Sequence, residues 1–157
     1  MSIARSVVSG SVNGSRIGGL AGFTQGGLAI TDSYVSGSVT GTNDNSGGFV
    51  GFAQGGVDVT NSYLSGTLTL SGSATLTGAI IGNVASSSLT ATNVFTTNGP
   101  SAAVGSGSAG ATTLVNEFLN ITESTFYLQT HPVYTGALPW DFTAVWNTPS
   151  GALPTLK

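Results

Sequence analysis

Two stretches decide how this chain folds: GGLAGFTQGGLAIT at residues 18–31 and GGFVGFAQGGVDVT at residues 47–60. They match position for position in their Gly, apolar and Gln residues. Each is followed by a second matching unit, SYVSGSVTG at 33–41 and SYLSGTLT at 62–69, and SVVSGSVNG at 6–14 precedes the first. A worn third copy, GAIIGNVASSSLTAT, covers 78–92 and runs into Asn93, Val94 and Phe95. Gly22 to Gly51 is 29 residues, as is Asp32 to Asn61, whereas Gly51 to Gly82 is 31. The length differences fall in one connection, at 15–17, 42–46 and 71–77. Fixed apolar positions with variation confined to one place mark the coils of a solenoid.

Within each copy the residues alternate. Val8, Gly10 and Val12 share one parity against Ser9, Ser11 and Asn13, and Leu28 and Ile30 alternate with Ala29 and Thr31. Period two with many β-branched residues predicts strands, and Gly predicts corners. The expected fold is all-β: a right-handed parallel β-solenoid of three to four coils with an irregular C-terminal cap. Stacking at the ~4.8 Å strand spacing predicts inward columns of Val12, Val39 and Leu68, of Leu20, Phe49 and Ile80, and of Ile30, Val59 and Ala91. Val7, Tyr34, Tyr63 and Phe95 form a mostly aromatic column, and Asp32, Asn61 and Asn93 an Asx ladder at a corner. Repeated apolar positions are first of all core positions.

Composition removes several function classes. Three Lys and Arg residues stand against six Asp and Glu, and charged residues make up 6% of the chain, against about 25% in ordinary domains. Three cations cannot build a nucleic-acid footprint. With no Cys, disulfides and thiolate metal sites are excluded. No apolar run approaches the ~18 residues of a spanning helix, so no membrane insertion through helices is expected. The first ten residues lack a signal-peptide core. A hydrophobic content of 39% is too high for a disordered Gly/Ser linker.

The GG-[LF]-[AV]-G-F segments, with the [DN]-S-Y-x-S-G-x-[VL]-x-G segments that follow, resemble the GLUG repeat of large bacterial surface and secreted proteins, filamentous-haemagglutinin-like adhesins among them. The likeness covers about residues 5–99 in two good and two partial copies. Phe23 and Phe52 depart from the family pattern, which has a small or polar residue there, and the third copy has lost its Gly pair. The resemblance implies an extracellular or cell-surface location and a structural or adhesive role. Residues 124–156 are similar to the segment that closes such arrays: Ser124-Thr125-Phe126, Trp140-Asp141-Phe142, Val145-Trp146 and Leu153-Pro154-Thr155-Leu156. Bulky Trp140, Phe142 and Trp146 are expected to cover the open end of the coil core, because a bare solenoid end exposes strand edge. The division expected is coils at 1–99, a Gly/Ser-rich loop or degenerate coil at 100–112 and a cap at 113–157, with one helical turn at 122–128 behind Thr122.

Candidate chemistry is sparse. One His, His131, and no Cys cannot make a zinc site such as HExxH, so the peptidase found beside some GLUG arrays does not carry over, and no cofactor is expected. Polysaccharide-cleaving β-helices need clustered carboxylates, and the six acids here are scattered; the chain reads as a non-enzyme. Asn43-Asp44-Asn45 is an Asx turn before it is a Ca²⁺ loop. Ser38, Thr40, Thr67 and Thr69, with Thr90 and Thr92, recur as T-x-T pairs. Flat ladders of this kind bind carbohydrate or ice, and Thr is also an ordinary strand residue on a solvent face. Asn13-Gly14-Ser15 and Asn120-Ile121-Thr122 fit a glycosylation sequon by coincidence in a bacterial protein. At the N-terminal end, Arg5–Gly10 already aligns with a repeat. The expectation there is a bare strand edge satisfied by more of a parent chain or by identical subunits associating end to end, which would build a filament. Host or environmental glycans are the other expected partners.

Overall fold

The computed structural model describes residues 1–71, 76–85, 88–105, 111–118, 140–147 and 153–157, with backbone only for 116–118. Parallel strands stack rung on rung as a β-solenoid. The first coil holds β1 (Ser2–Ala4), β2 (Val7–Val8), β3 (Val12–Gly14) and β4 (Ala21–Thr24). The second holds β5 (Leu28–Thr31), β6 (Tyr34–Val35), β7 (Val39–Gly41), β8 (Ser46–Gly47) and β9 (Val50–Ala53). The third holds β10 (Val57–Leu64), β11 (Leu68–Leu70), β12 (Thr77–Gly78) and β13 (Ile81–Val84). Then come β14 (Ser88–Thr96), β15 (Ala111–Phe118), β16 (Trp146–Asn147) and β17 (Thr155–Leu156). Among the described residues there is no helix.

The longest sheet runs β1-β5-β10-β14-β15, with β2 and β6 continuing its register. Shorter sheets β3-β7-β11, β8-β12 and β4-β9-β13 form the other walls. The expected columns are in register. Val12 faces Val39 and Val39 faces Leu68. Ile3, Ile30, Val59, Ala91 and Leu114 follow one another up the long sheet. The Leu20 amide donates to the Phe49 carbonyl, and the Phe49 amide to that of Ile80. Ile30, Val39, Phe49, Val59, Ile80 and Ala91 are fully buried in one continuous core.

The corners explain the Asx and Ser positions. Arg5, Asp32, Asn61 and Asn93 all lie at positive φ (48°, 49°, 47° and 55°), a left-handed conformation that Asn and Asp tolerate best among non-Gly residues. Their side chains form the expected ladder: Asn61 Nδ2 donates to Asp32 Oδ1 at 3.4 Å, and Asn93 Nδ2 to Asn61 Oδ1 at 2.8 Å. The Ser after Asp32 and after Asn61 builds a second ladder. Ser33 and Ser62 are buried; each hydroxyl donates to the carbonyl two residues back and accepts the amide of the coil before it, from Ser6 and Ser33 respectively. An otherwise orphaned corner amide is satisfied this way, as buried backbone donors must be. Gly is required at the next corner. A Cβ on Gly37 would strike the Gly10 carbonyl, and one on Gly66 the Gly37 carbonyl.

Two expectations about the C-terminal part need correction. Of the two alternatives for 100–112, a loop or a degenerate coil, the described residues form the coil. Val104 bridges to Ile81, and β15 pairs with β14 from Ser88↔Ala111 to Phe95↔Phe118. Residues 100–105 are therefore part of a fourth, shortened coil, and the boundary expected at 113 falls inside a strand. Nor do Trp140 and Trp146 lie over the end of the coil core. They pack on the flank, against the column of Tyr34, Tyr63 and Phe95. The reason is parity: Val35 and Leu64 take the inward positions, so the ring before each points outward and needs its own cover. The proposed helical turn at 122–128, Phe126 and His131 lie outside the described residues.

Candidate functional site

One surface and one flank carry side chains that sequence reading singled out, and the structure adds a second surface. The flank is a second apolar cluster. The Tyr34 and Tyr63 rings stack with centroids 4.8 Å apart and 2° between planes. Trp146 leans on both (6.2 and 5.9 Å), Trp140 on Tyr63 and Phe95 (6.2 and 5.9 Å), and the two indoles lie 4.6 Å apart. Phe142, Leu153 and Leu156 pack around them. Asp141 shapes the turn that presents the indoles: its Oδ1 accepts the amides of Thr143 and Ala144 at 2.9 and 2.8 Å. Antiparallel pairing of β16 with β17 closes the unit, and the Tyr63 hydroxyl donates to the Pro154 carbonyl. Lys157 Nζ donates to the carbonyls of Phe142 and Thr143. This cluster is packing, with no open chemistry.

The first surface is the outer face of the β3-β7-β11 sheet. Ser38, Thr67 and Thr69 are exposed and Thr40 is half-buried. Register places Asn13, Thr40 and Thr69 in one column, and the amides of Val12 and Val39 donate to the carbonyls of Ser38 and Thr67, which puts Ser11, Ser38 and Thr67 in the next. The result is a flat grid of hydroxyls and one amide. Its pitch is about 4.8 Å between rungs and about 6.6 Å along a strand. Thr90 and Thr92 are not part of it. They lie on the long sheet beside Asp58 and Thr60, so the T-x-T pairs fall on two faces. Uncharged hydroxyls donate and accept hydrogen bonds but neither gain nor lose a proton near neutral pH, so the grid suits a polar, uncharged ligand and not acid–base work.

The second surface was not singled out as a site. Phe23 and Phe52 are stacked on the outside of the β4-β9-β13 sheet, centroids 5.6 Å apart and planes at 27°. Phe23 is 55% exposed. Gln25 and Gln54 stand exposed beside them. The signal was in the sequence as the departure of both Phe residues from the repeat pattern, 29 residues apart.

The described carboxylates serve the fold or stand apart. Asp32 is in the Asx ladder, Asp141 caps its turn and Asp58 is exposed on the long sheet. In the 43–45 loop, the Asp44 amide donates to Asn43 Oδ1, and Asn45 Oδ1 accepts from Asn83 Nδ2 at 2.7 Å. Those oxygens brace the loop and tie it to the next coil. Among the described residues, no group of three or more His, Asp or Glu side chains could hold a metal.

Comparison with known proteins agrees with the repeat. No curated protein and no solved structure matches the chain. One family model, the GLUG motif, matches residues 13–40, which run from β3 through the second coil as far as β7. The stretch that turns the chain through one coil thus matches the GLUG motif.

Proposed function

We propose that this chain is a rigid, non-enzymatic structural and adhesive module of an extracellular bacterial surface protein. The observation that carries the reading is the continuous register of the long sheet. Its rungs are tied at one corner of each coil by side-chain ladders, Asp32-Asn61-Asn93 and Ser33-Ser62, as well as by backbone. Such a stack resists bending and presents its outer faces as fixed, repeating, sparsely charged surfaces. Acids that serve corners and turns fit a structural role better than a catalytic one. The adhesin-like context and the extracellular location rest on the resemblance of the repeat.

A second reading is favoured by the hydroxyl grid of Ser38, Thr40, Thr67 and Thr69: a face for glycan or ice. A flat array at fixed pitch loses little freedom on binding, which lowers the ordering cost. End-to-end association with identical subunits or with more of a parent chain is compatible with either reading.

The test is a glycan array together with an ice-recrystallisation assay on the whole chain, with a Thr40→Val/Thr69→Val variant as control. Glycan or ice activity lost in that variant would favour the face. A blank in both, with the protein recovered from the cell-surface fraction of its source, supports the structural module. Recovery from the cytoplasm would overturn the extracellular reading.

A further inference from the structure

The fourth coil is cut short, and among the described residues the cut leaves a strand edge unpaired. Tyr63 pairs with Phe95 and Ile81 with Val104. Tyr63 to Ile81 spans 18 positions and Phe95 to Val104 only nine. The chain follows the coil below as far as Thr97, whose amide donates to the Leu64 carbonyl, and rejoins it at Ala102, whose carbonyl accepts from Ala79. What is skipped is the rung that would lie on β11.

In a parallel ladder alternate residues turn their N–H and C=O to opposite neighbours. Val12 and Val39 donate upward, to Ser38 and Thr67, and the carbonyls of Gly14 and Gly41 accept from Thr42 and Ser71 of the coil above. The equivalent residues of β11 are Leu68 and Leu70. Their N–H and C=O groups face the gap and have no hydrogen-bond partner among the described residues. The gap is a groove of about 580 Å³ whose walls include Leu68, Leu70, Thr77, Pro100 and Ser101. Gly99 lies at φ 131° over the Leu68 side chain, where a Cβ would collide. That approach sets the crossing segment against the Leu68 side chain.

The chemistry of the occupant follows from the groups left open. Alternating donors and acceptors at strand pitch are matched by another extended backbone. The column below it reads Val-Asn-Gly, Val-Thr-Gly and Leu-Thr-Leu, so the fitting strand alternates apolar with small polar residues. We propose that this notch is a strand-addition site that takes an extended peptide of that pattern, supplied by a partner protein, as the missing rung on β11. The inference is independent of whether the hydroxyl grid binds glycan.

The probe is an acetylated, amidated hexapeptide of sequence GSVTGT, identical to residues 37–42, read by amide hydrogen exchange on the whole chain. In the free protein the Thr69 amide, paired to β7, is protected, and the Leu68 and Leu70 amides exchange fast. Saturating peptide should slow both by about tenfold or more. The same peptide N-methylated at its first Thr, whose N–H would point at β11, should leave them unchanged. Leu70→Pro removes one of the two groove-facing donors, a change tolerated on an edge strand, and should weaken binding with the far-UV spectrum preserved. Leu68 and Leu70 amides as slow as Thr69 in the free protein would overturn the proposal, because the notch would then be filled. So would no slowing at millimolar peptide, or slowing that survives N-methylation. Protection that rises with protein concentration without peptide would assign the notch to a second copy and overturn the partner reading.

Discussion

Trp146→Ala separates the two apolar clusters. The ring is fully buried and lies against Tyr34, Tyr63 and Trp140. An indole of that burial hides about 150–250 Å², worth about 4–6 kcal/mol at ~25 cal/mol per Å²; truncations of buried aromatics cost about 3–5 kcal/mol. The cost falls on a cluster distinct from the coil core. Its weight is carried by the docking of β16, β17 and the Asp141 turn, and the stacked rungs keep their own contacts. The expected outcome is therefore local. The C-terminal segment detaches, Trp140 emission shifts to the red, and limited proteolysis removes the segment. The β signal in far-UV circular dichroism then melts near the wild-type temperature. Uncovering the Tyr34–Tyr63 stack should also raise self-association in sedimentation. A single cooperative transition shifted far down would show that the flank and the coil core are one unit and refute the reasoning. Unchanged Trp140 emission would refute the burial itself.

Further outcomes follow from the same geometry. Trp146→Phe keeps a ring and deletes an Nε1–H with no hydrogen-bond partner among the described residues; since a buried unmet donor costs about 1–3 kcal/mol, its thermal shift should be well short of the Ala variant's. Gly66→Ala drives a Cβ into the Gly37 carbonyl and should cost about 3 kcal/mol or more by overpacking. Gly10→Ala, in the same column with open space around it, should stay within about 1 kcal/mol in the same melt. Asn61→Gly keeps the positive φ and loses the ladder, so chemical denaturation should show a smaller loss than Asn61→Ala, which adds about 1–2 kcal/mol of backbone strain. Ser62→Ala strips the buried Ser33 amide of its acceptor and should destabilise by about 1–3 kcal/mol, with exchange at Ser33 accelerated.

The coil register was legible because three signals recur at one spacing. Val12, Val39 and Leu68 mark the inward face, Asp32, Asn61 and Asn93 the corner, and Gly37 and Gly66 the tight approach. Each signal reflects a different constraint, so their agreement leaves one stacking. The flank was legible only in part. The aromatic column was visible, but its direction was not, because the positive φ at Asp32 and Asn61 interrupts the alternation just before Tyr34 and Tyr63. Counting parity through that corner cannot tell an inward ring from an outward one. With the column assigned only to packing, Trp140 and Trp146 had no destination except the coil end.

The surfaces differ in how far composition announces them. Ser38, Thr40, Thr67 and Thr69 come together because they share positions in matched copies, and the same logic excludes Thr90 and Thr92, which belong to another wall. Phe23 and Phe52 obey it too, but an aromatic residue at a repeated position reads as core or as surface alike until its burial is known. The notch on β11 is the opposite case. It is made by residues that are missing, and a stretch such as Asn98–Ala102 reads as loop whether it bridges a full rung or skips one. Only the pairs Tyr63↔Phe95 and Ile81↔Val104, taken together, show that the coil closes nine residues early. A repeat protein can thus build a binding edge by deletion. Removing one rung from one wall leaves the core columns of the other walls intact and opens four backbone groups at a defined place.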